Sequence, residues 1–209
     1  MFADLALSEI LIVVGCMLVA LSFHEAMHAF TSHFLGDTTA QEHGRLTLNP
    51  LKHVDVLTTI LLPAVLMLLH LPPFFIAKPV PFDPDRVRYE EYGAALVALA
   101  GPITNLGLAA ASALVIRLGG GMMSAEFGHI VSVFIQVNIL FFVFNMIPFP
   151  PLDGSRLLYA FAPEPLQRVM AQIEGAGFMA IIVFMLLVFP FLSPIVSGVS
   201  SQIFNFLLS

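Results

Sequence analysis

The sequence contains few charged residues. Of its 209 residues, 11% are charged and 58% are hydrophobic, whereas a typical soluble domain carries about 25% charged residues. This composition excludes a domain that could cover its own surface with polar groups in water. The net charge is −6, and the eight lysines and arginines form no basic patch. We therefore expect no nucleic-acid partner, because nucleic-acid binding requires clustered positive charge.

Cysteine is also scarce. Cys16 is the one cysteine in the sequence, and it lies within the first apolar run, where a small buried hydrophobic residue is expected. A framework of disulfides within the chain is thereby excluded. The sequence shows no internal repeat, and the apolar runs leave no room for an appended soluble domain. We therefore expect residues 1–209 to form a single membrane-embedded domain.

Long uncharged runs dominate the remaining sequence, and runs of 18 or more apolar residues are typical of membrane-spanning helices. They predict an all-α polytopic membrane protein with about four to six membrane helices in a lipid bilayer. The predicted core helices cover residues 8–30, 93–116 and 130–147. Two additional helices are predicted over residues 175–192 and 195–208, divided where Pro190 and Pro194 interrupt the last apolar run.

Two shorter stretches allow more than one interpretation. Residues 54–75 are apolar but contain Asp55, Pro63 and the pair Pro72–Pro73, so they form either a membrane span or a re-entrant or interfacial segment. Residues 45–49 alternate polar and apolar side chains, which predicts a short strand in a β-hairpin near the polar site described next. Such a strand would either hold an extended peptide by strand addition or serve only as a connection.

The sequence His24-Glu25-Ala26-Met27-His28 places three polar groups in an apolar run. Residues four apart lie on one face of a helix, so both imidazoles can bind one metal ion while Glu25 acts as a general base. Asp153 is the best candidate for a third ligand, because it directly follows an apolar span within a proline-rich turn. Taken alone, Asp153 would be interpreted as a helix cap or a turn residue.

Three motifs occur in order along the chain. They are His24-Glu25-x-x-His28, Gly101-Pro102-x-x-Asn105, and Asn145-x-x-Pro148 followed by Leu152-Asp153-Gly154. Together they resemble the site-2 protease family of intramembrane zinc metalloproteases. The resemblance implies that His24, His28 and Asp153 bind one Zn2+ per chain, that Glu25 is the general base, and that Asn145 helps to bind the substrate.

By the same resemblance, the substrates are single-span membrane proteins, which are cut during regulated intramembrane proteolysis or signal-peptide clearance. The alternative is a metal-binding membrane protein without proteolytic activity, such as a transporter. A transporter would be expected to show repeats and polar groups spread through its helices, whereas here the polar groups concentrate near one face.

The direction of the helices tests whether the three predicted ligands can meet. His24 and His28 lie near the end of the first span, and Asp153 lies just beyond the end of 130–147, so an odd number of crossings must separate these two spans. Residues 93–116 supply one crossing, and residues 54–75 should therefore not cross completely. This arrangement leaves only Arg117 on the face opposite the site, and the positive-inside rule then places the site near the cytoplasm of a bacterial or archaeal cell.

Overall fold

The computed structural model describes residues 7–53, 55 and 80–209. Four helices within this part of the chain are long and apolar enough to cross a membrane. They are α1 (Leu7–Phe34), α3 (Glu90–Gly119), α4 (Ala125–Asn145) and α7 (Phe178–Leu208). The described residues also contain three short α-helices, α2 (Thr39–Glu42), α5 (Asp153–Phe161) and α6 (Glu164–Gly175). Single 3-10 turns lie at Pro50–Lys52, Pro84–Arg86 and Gly120–Met122.

Helix α1 begins one residue before the predicted 8–30 and ends four residues after it, at Phe34. Gly36 follows with a φ of 109°, a backbone conformation that glycine adopts readily and that is strained for other residues. The N–H of Asp37 donates to the carbonyl of Ser32, and the N–H of Gly36 donates to the carbonyl of His33. This pair of bonds is the Schellman motif, which satisfies carbonyls that the helix end would otherwise leave without donors.

Helix α3 lies at the centre of the bundle and contacts α1, α4, α5 and α7. Its buried positions are mostly small, including Gly93, Ala94, Ala98 and Gly101. Small residues allow helices in a membrane to approach closely and pack by van der Waals contact. The small residues of α3 therefore allow α1 and the α4–α5 corner to pack closely against the same side of α3. The predicted ligands lie at this contact.

Helix α4 ends at Asn145, and a proline-rich turn leads from it to Asp153, the first residue of α5. The turn packs closely against the start of α5. A Cβ on Gly154 would lie only 2.5 Å from the carbonyl oxygen of Met146. Leu152 in an extended conformation precedes α5. The motif Leu152-Asp153-Gly154 therefore places a carboxylate at a helix start that faces back toward the bundle.

The structure departs from the prediction at the last apolar run. Residues 175–192 and 195–208 do not form two helices, because a single helical run, α7, extends from Phe178 to Leu208. Its register changes through a π-helical segment at Phe184–Val188, directly before Pro190. Proline is tolerated within membrane helices where such local adjustments satisfy the freed backbone groups. Pro190 and Pro194 therefore lie inside the helix instead of dividing it.

The β-hairpin is not confirmed. Residues 45–49 contain no strand, and no other strand occurs in the described residues. Side chains fold this stretch back on itself: the Arg45 guanidinium donates to the carbonyl of Lys52, and Nε2 of His53 lies 2.8 Å from the carbonyl oxygen of Thr47. The re-entrant segment predicted over residues 54–75 lies, apart from Asp55, outside the described residues.

The ends of the long helices define two faces of the bundle. The C-terminal end of α1, the start of α3, the end of α4 and the start of α7 all lie at one end, which we call the site face. At the opposite face, Nε2 of His129 lies 2.9 Å from the Glu9 carboxylate and so joins the starts of α4 and α1. Arg117 and the end of α7 share a pocket at that face. The directions of α1, α3 and α4 agree with those required by the parity argument.

Candidate metal centre

Three predicted ligands converge at the site face. His24 and His28 are four residues apart on α1 and share one side of the helix, so that their Nε2 atoms lie 3.1 Å apart. Oδ2 of Asp153 lies 3.1 Å from Nε2 of His24 and 3.5 Å from Nε2 of His28. The structure thus brings side chains from α1 and α5 to a single point.

This cluster fits a tetrahedral zinc site. Ligand bonds of about 2.0–2.2 Å in a tetrahedron separate the ligand atoms by about 3.3–3.6 Å, close to the three distances between these atoms. Oδ2 of Asp153 is buried and accepts no hydrogen bond from the described residues. A buried carboxylate oxygen without a donor is energetically costly, and a cation bound between the three side chains would remove this cost.

The outer nitrogens of both imidazoles are held by hydrogen bonds. Nδ1 of His28 lies 2.7 Å from the carbonyl oxygen of Val97, and Nδ1 of His24 lies 2.7 Å from Oδ1 of Asn105. A carbonyl oxygen can only accept a hydrogen bond, so each Nδ1 carries a proton, and Nε2 of the neutral imidazole then keeps its lone pair. Such partners fix the ring orientation and the tautomer of metal-binding histidines.

Gly101 allows α3 to approach both imidazoles closely. A Cβ at this position would lie 2.4 Å from Nε2 of His28 and 2.7 Å from Cε1 of His24. Contacts this short are not possible between real side chains, so either the histidines or the helix would have to move. The absence of a side chain at Gly101 therefore provides space for the cluster, and the Gly101-Pro102 motif acquires a steric explanation.

Glu25 is buried beside the cluster but is not one of its members. The side chain is 8% exposed, and its Oε2 accepts a hydrogen bond of 3.1 Å from the N–H of Val80. This bond positions the carboxylate from outside α1 and leaves its other oxygen available for further contacts. The position next to His24, on a neighbouring side of the helix, is the one that the H-E-x-x-H pattern requires of a base.

A cavity of about 400 Å³ opens onto the cluster. Its walls include all five residues predicted to form the site: His24, Glu25, His28, Asn145 and Asp153. Apolar side chains from α4 and α7 supply much of the remaining wall, and one charged pair, Arg156 with Glu174, also faces the cavity. Asn145 donates from Nδ2 to the carbonyl of Phe141, 3.0 Å away in its own helix.

Sequence reasoning missed several contributors to the site. The carbonyl of Val97 and the N–H of Val80 are backbone groups, and no side-chain pattern indicates them. Asn105 was noted as part of the Gly101-Pro102-x-x-Asn105 motif, and the structure shows its side chain bonded to His24. Asn138 was missed altogether, although an asparagine within an uncharged span, seven residues before Asn145, was a usable signal.

Comparisons with known proteins also point to a metalloprotease. The family model described as peptidase family M50 matches residues 114–189. A Bacillus subtilis protein named as a zinc metalloprotease, YwhC, is 36% identical over 174 residues, which cover 80% of this chain and 76% of that protein. A protein of Mycolicibacterium smegmatis named as a zinc metalloprotease, Rip2, is 31% identical over 183 residues, covering 84% of this chain and 67% of that protein.

The Rip2 protein of Mycobacterium tuberculosis is also 31% identical, over 191 residues that cover 89% of this chain and 68% of that protein. No solved structure matches the chain significantly. The matched regions of YwhC and the two Rip2 proteins extend over most of the chain, and so over much more than the segment that the family model covers.

Proposed function

Because the chain belongs to peptidase family M50, the site-2 type of intramembrane zinc metalloprotease, we propose that it cleaves single-span membrane proteins within or beside their membrane segments, near the cytoplasmic face. The observation that carries the proposal is the convergence of His24, His28 and Asp153 at one end of a bundle of apolar helices. Family membership also favours a protease over the alternative of a non-proteolytic metal-binding protein or transporter.

We assign His24, His28 and Asp153 as the ligands of one zinc ion per chain. Three protein ligands leave one tetrahedral position open, as in catalytic rather than structural zinc sites. When bound, zinc supplies Lewis acidity, which lowers the pKa of a water molecule and polarises a carbonyl group. The Val97 carbonyl and Asn105 hold both imidazoles in the tautomer that this ligation requires.

Glu25 acts as the general base in this proposal. Its carboxylate takes a proton from the water whose oxygen bonds to the peptide carbonyl carbon, and it delivers that proton to the amine nitrogen as the C–N bond breaks, as a positioned carboxylate can. The N–H of Val80 fixes one oxygen of the carboxylate, so proton transfer falls to the other. Because Glu25 is buried in an apolar wall, its carboxylate does not exchange the proton with bulk water.

Asn145 is proposed to bind the substrate backbone. It lies on the cavity wall at the last turn of α4, where a peptide entering the cavity would pass close to the ligands. An amide side chain can both donate to and accept from a peptide group. The surrounding apolar wall suits the side chains of a membrane segment, and the substrate must be locally extended to expose its backbone there.

The proposed substrates are regulatory membrane proteins, such as anti-sigma factors, or leftover signal peptides. The proposed setting is a bacterial or archaeal cell membrane, with the site face toward the cytoplasm. The bacterial origin of the relatives in the comparisons supports this setting. The orientation follows from the distribution of lysine and arginine and is argued further in the Discussion.

The test is cleavage by the purified protein in detergent or in liposomes. Candidate single-span substrates, including a signal-peptide remnant and an anti-sigma factor segment, are incubated with the protein before and after zinc removal by a chelator. We expect cleavage that stops on zinc removal and returns on zinc addition. A protein that binds zinc but cuts none of these substrates, or that cuts equally well without zinc, would contradict the proposal.

A further inference from the structure

A line of three polar side chains crosses the bundle behind the metal centre. His24 on α1 bonds through Nδ1 to Oδ1 of Asn105 on α3, at 2.7 Å. Nδ2 of Asn105 donates to Oδ1 of Asn138 on α4, at 2.8 Å, and to the carbonyl of Ala20, at 3.2 Å. Nδ2 of Asn138 donates to the carbonyl of Phe134, at 2.8 Å. Both asparagines are 0% exposed.

Backbone carbonyls set the direction of every hydrogen bond in this line. The carbonyl of Phe134 can only accept, so Asn138 must turn its Nδ2 toward it and its Oδ1 toward Asn105. Nδ2 of Asn105 then donates the shorter of its two bonds to Asn138, at 2.8 Å, and the longer to the carbonyl of Ala20, at 3.2 Å, so both acceptors favour the same orientation of this amide. Its Oδ1 is the atom left facing His24, and this oxygen requires a proton on Nδ1. In the neutral imidazole, Nε2 of His24 is therefore free of a proton on the side where the ligands converge.

We propose that Asn138 is a positioning residue of the metal centre, acting through Asn105 to hold His24 in the tautomer that binds metal. Asn138 does not line the cavity and touches none of the three ligands, so it has no direct part in the chemistry. Its effect is transmitted by the orientation of one amide. The inference rests on the proposed assignment of His24 as a zinc ligand.

A purely structural role for Asn138 makes a different prediction. An interhelical hydrogen bond that only held α3 to α4 would change stability, and it would leave the tautomer of His24 unaltered. The positioning role changes the proton distribution on His24 even in the metal-free protein. Measurement of that distribution therefore separates the two roles without any assay of proteolysis.

Two variants remove the link in different ways. Asn138→Leu keeps the branched shape and the number of side-chain heavy atoms, and it loses both hydrogen bonds. Asn138→Ser can still donate to the Phe134 carbonyl within its own helix, as serine commonly does, but it is too short to reach Asn105. The serine variant therefore keeps the intrahelical bond and tests the link to Asn105 if the leucine variant fails to fold.

The neighbouring residue supplies a matched control. Ile139 is 1% exposed on the same helix and belongs to the apolar cluster formed with Ala109, Ala113 and Ile135. Ile139→Ala removes buried volume and should lower the melting temperature. Because Ile139 makes no hydrogen bond to the line, this variant should leave both the tautomer of His24 and the zinc affinity as in the unmodified protein.

The experiment uses the full chain in detergent. Proton positions on His24 are read from 15N-histidine NMR spectra of the metal-free protein, at a pH where the imidazoles are neutral. Zinc affinity is read by competition with a chromophoric chelator. We expect a single Nδ1–H tautomer in the unmodified protein, a mixture in both Asn138 variants, and a zinc dissociation constant about 10-fold higher, at the lower end of the range typical of partners that orient ligands.

Non-additivity gives a second readout. If Asn138 acts through Asn105, then Asn105→Leu combined with Asn138→Leu should weaken zinc binding no more than Asn105→Leu alone, since coupled residues do not add. An unchanged tautomer and zinc affinity in both Asn138 variants, or additive losses in the double variant, would overturn the inference. Failure of the unmodified protein to bind zinc would instead count against the proposed function. The tautomer of His24 would still show whether Asn138 acts on it through Asn105.

Discussion

At the scale of single residues, the proposed function assigns separate tasks to the groups of the site. His24, His28 and Asp153 bring together three atoms that could bind a metal ion, and Glu25 is held beside them by the N–H of Val80. These tasks can be separated experimentally, because a base that is not a ligand can be removed without disturbing the metal. A Cβ at Gly101 would overlap both imidazoles, so the site also requires a residue without a side chain at this position.

Glu25→Ala should abolish cleavage while zinc stays bound. The variant removes the proposed proton carrier but none of the three converging ligand atoms, and general-base catalysis contributes typically 10²–10⁴-fold to a rate. We therefore expect at least about a 100-fold loss of activity with one zinc per chain by metal analysis. Retained cleavage would refute the role of Glu25 as the base, and lost zinc would indicate that Glu25 is a ligand.

Gly101→Ala should weaken zinc binding although no ligand is changed. The added Cβ would lie 2.4 Å from Nε2 of His28, so at least one imidazole must leave its position. The matched control is Gly107→Ala, on the same helix, where a Cβ would meet nothing within 4 Å. This control should bind zinc normally, and the helix should gain up to about 1 kcal/mol, since alanine favours helices over glycine.

Zinc affinity in both glycine variants is measured by chelator competition, with Asp153→Ala as the reference for the loss of a ligand. We expect Gly101→Ala to lie close to Asp153→Ala and far from Gly107→Ala. Equal affinities in the two glycine variants would show that the close approach of α3 to the histidines is unimportant for the metal.

At the scale of elements, the sequence predicted the long helices well and their ends less well. The spans 8–30, 93–116 and 130–147 correspond to α1, α3 and α4, because uncharged runs long enough to cross a membrane admit few other structures. The ends differ by several residues, since a helix can continue past the bilayer or stop short of it. Gly36, two residues beyond the end of α1, is a turn former in the sequence and follows the predicted 8–30 closely.

The elements that were predicted wrongly have physical explanations. Pro190 and Pro194 predicted a break in α7 because proline removes a backbone donor, but a preceding π-helical segment accommodates this loss. The alternating pattern over 45–49 predicted a strand, yet a strand needs a partner, and Arg45 and His53 instead fold the segment onto its own carbonyls. Asn138 was missed because hydrogen-bond partners on other helices depend on packing.

A buried carboxylate joins the end of α1 to the segment before α3. Asp37 accepts hydrogen bonds from the N–H and hydroxyl of Thr39 and from the N–H of Asp83, at 2.9, 2.5 and 2.8 Å. Burial alone would raise the pKa of Asp37, but these donors and the nearby Arg86 together hold it below its ordinary value. The link connects two segments on the site face, close to the centre.

Asp37→Asn should destabilise the protein near neutral pH, by about 1–3 kcal/mol for charge-assisted hydrogen bonds to a buried group. Because the folded protein lowers the pKa of Asp37, its charge stabilises the fold fully above the unfolded value of about 3.9. This contribution disappears as the pH falls through the lower folded value. The melting temperatures of the two proteins should therefore differ at pH 7 and converge in acid.

Melting is followed by circular dichroism in detergent with chelator present, so that zinc release does not contribute. The control is Asp85→Asn, because Asp85 is exposed on the same segment and its substitution should change little at either pH. A difference between Asp37→Asn and the unmodified protein that stayed constant between pH 7 and acid would refute the stabilising role of the Asp37 charge.

At the scale of the whole molecule, the positions of the ligands and of the charges lead to the same topology. The ligands require α1 and α4 to run in the same direction, and α3 supplies the crossing between them. Most of the described lysines and arginines belong to segments of the site face: Arg45, Lys52, Arg86, Arg88, Arg156 and Arg168. Arg117 lies at the opposite end, near the C-terminal end of α7.

The positive-inside rule then orients the bundle, since loops rich in lysine and arginine remain in the cytoplasm. Labelling of single cysteines in intact bacterial cells tests this orientation. Cys16 is buried, so Cys16→Ala gives a background free of cysteine. Met122→Cys reports on the opposite face, where Met122 is 89% exposed, and Gln172→Cys reports on the site face from an exposed position of α6. Neither substitution removes a positive charge that could itself determine the orientation.

A membrane-impermeant maleimide should label Met122→Cys in intact cells and should label Gln172→Cys only after permeabilisation. This outcome would place the carboxylate of Asp153 and the base Glu25 within reach of the cytoplasm, where the products of cleavage would be released. The opposite pattern would put the centre at the outer face and refute the charge argument. The parity of α1, α3 and α4 would survive either result, because it depends only on the ligands meeting. Orientation and helix direction are therefore separate claims, and only the orientation depends on the distribution of charge.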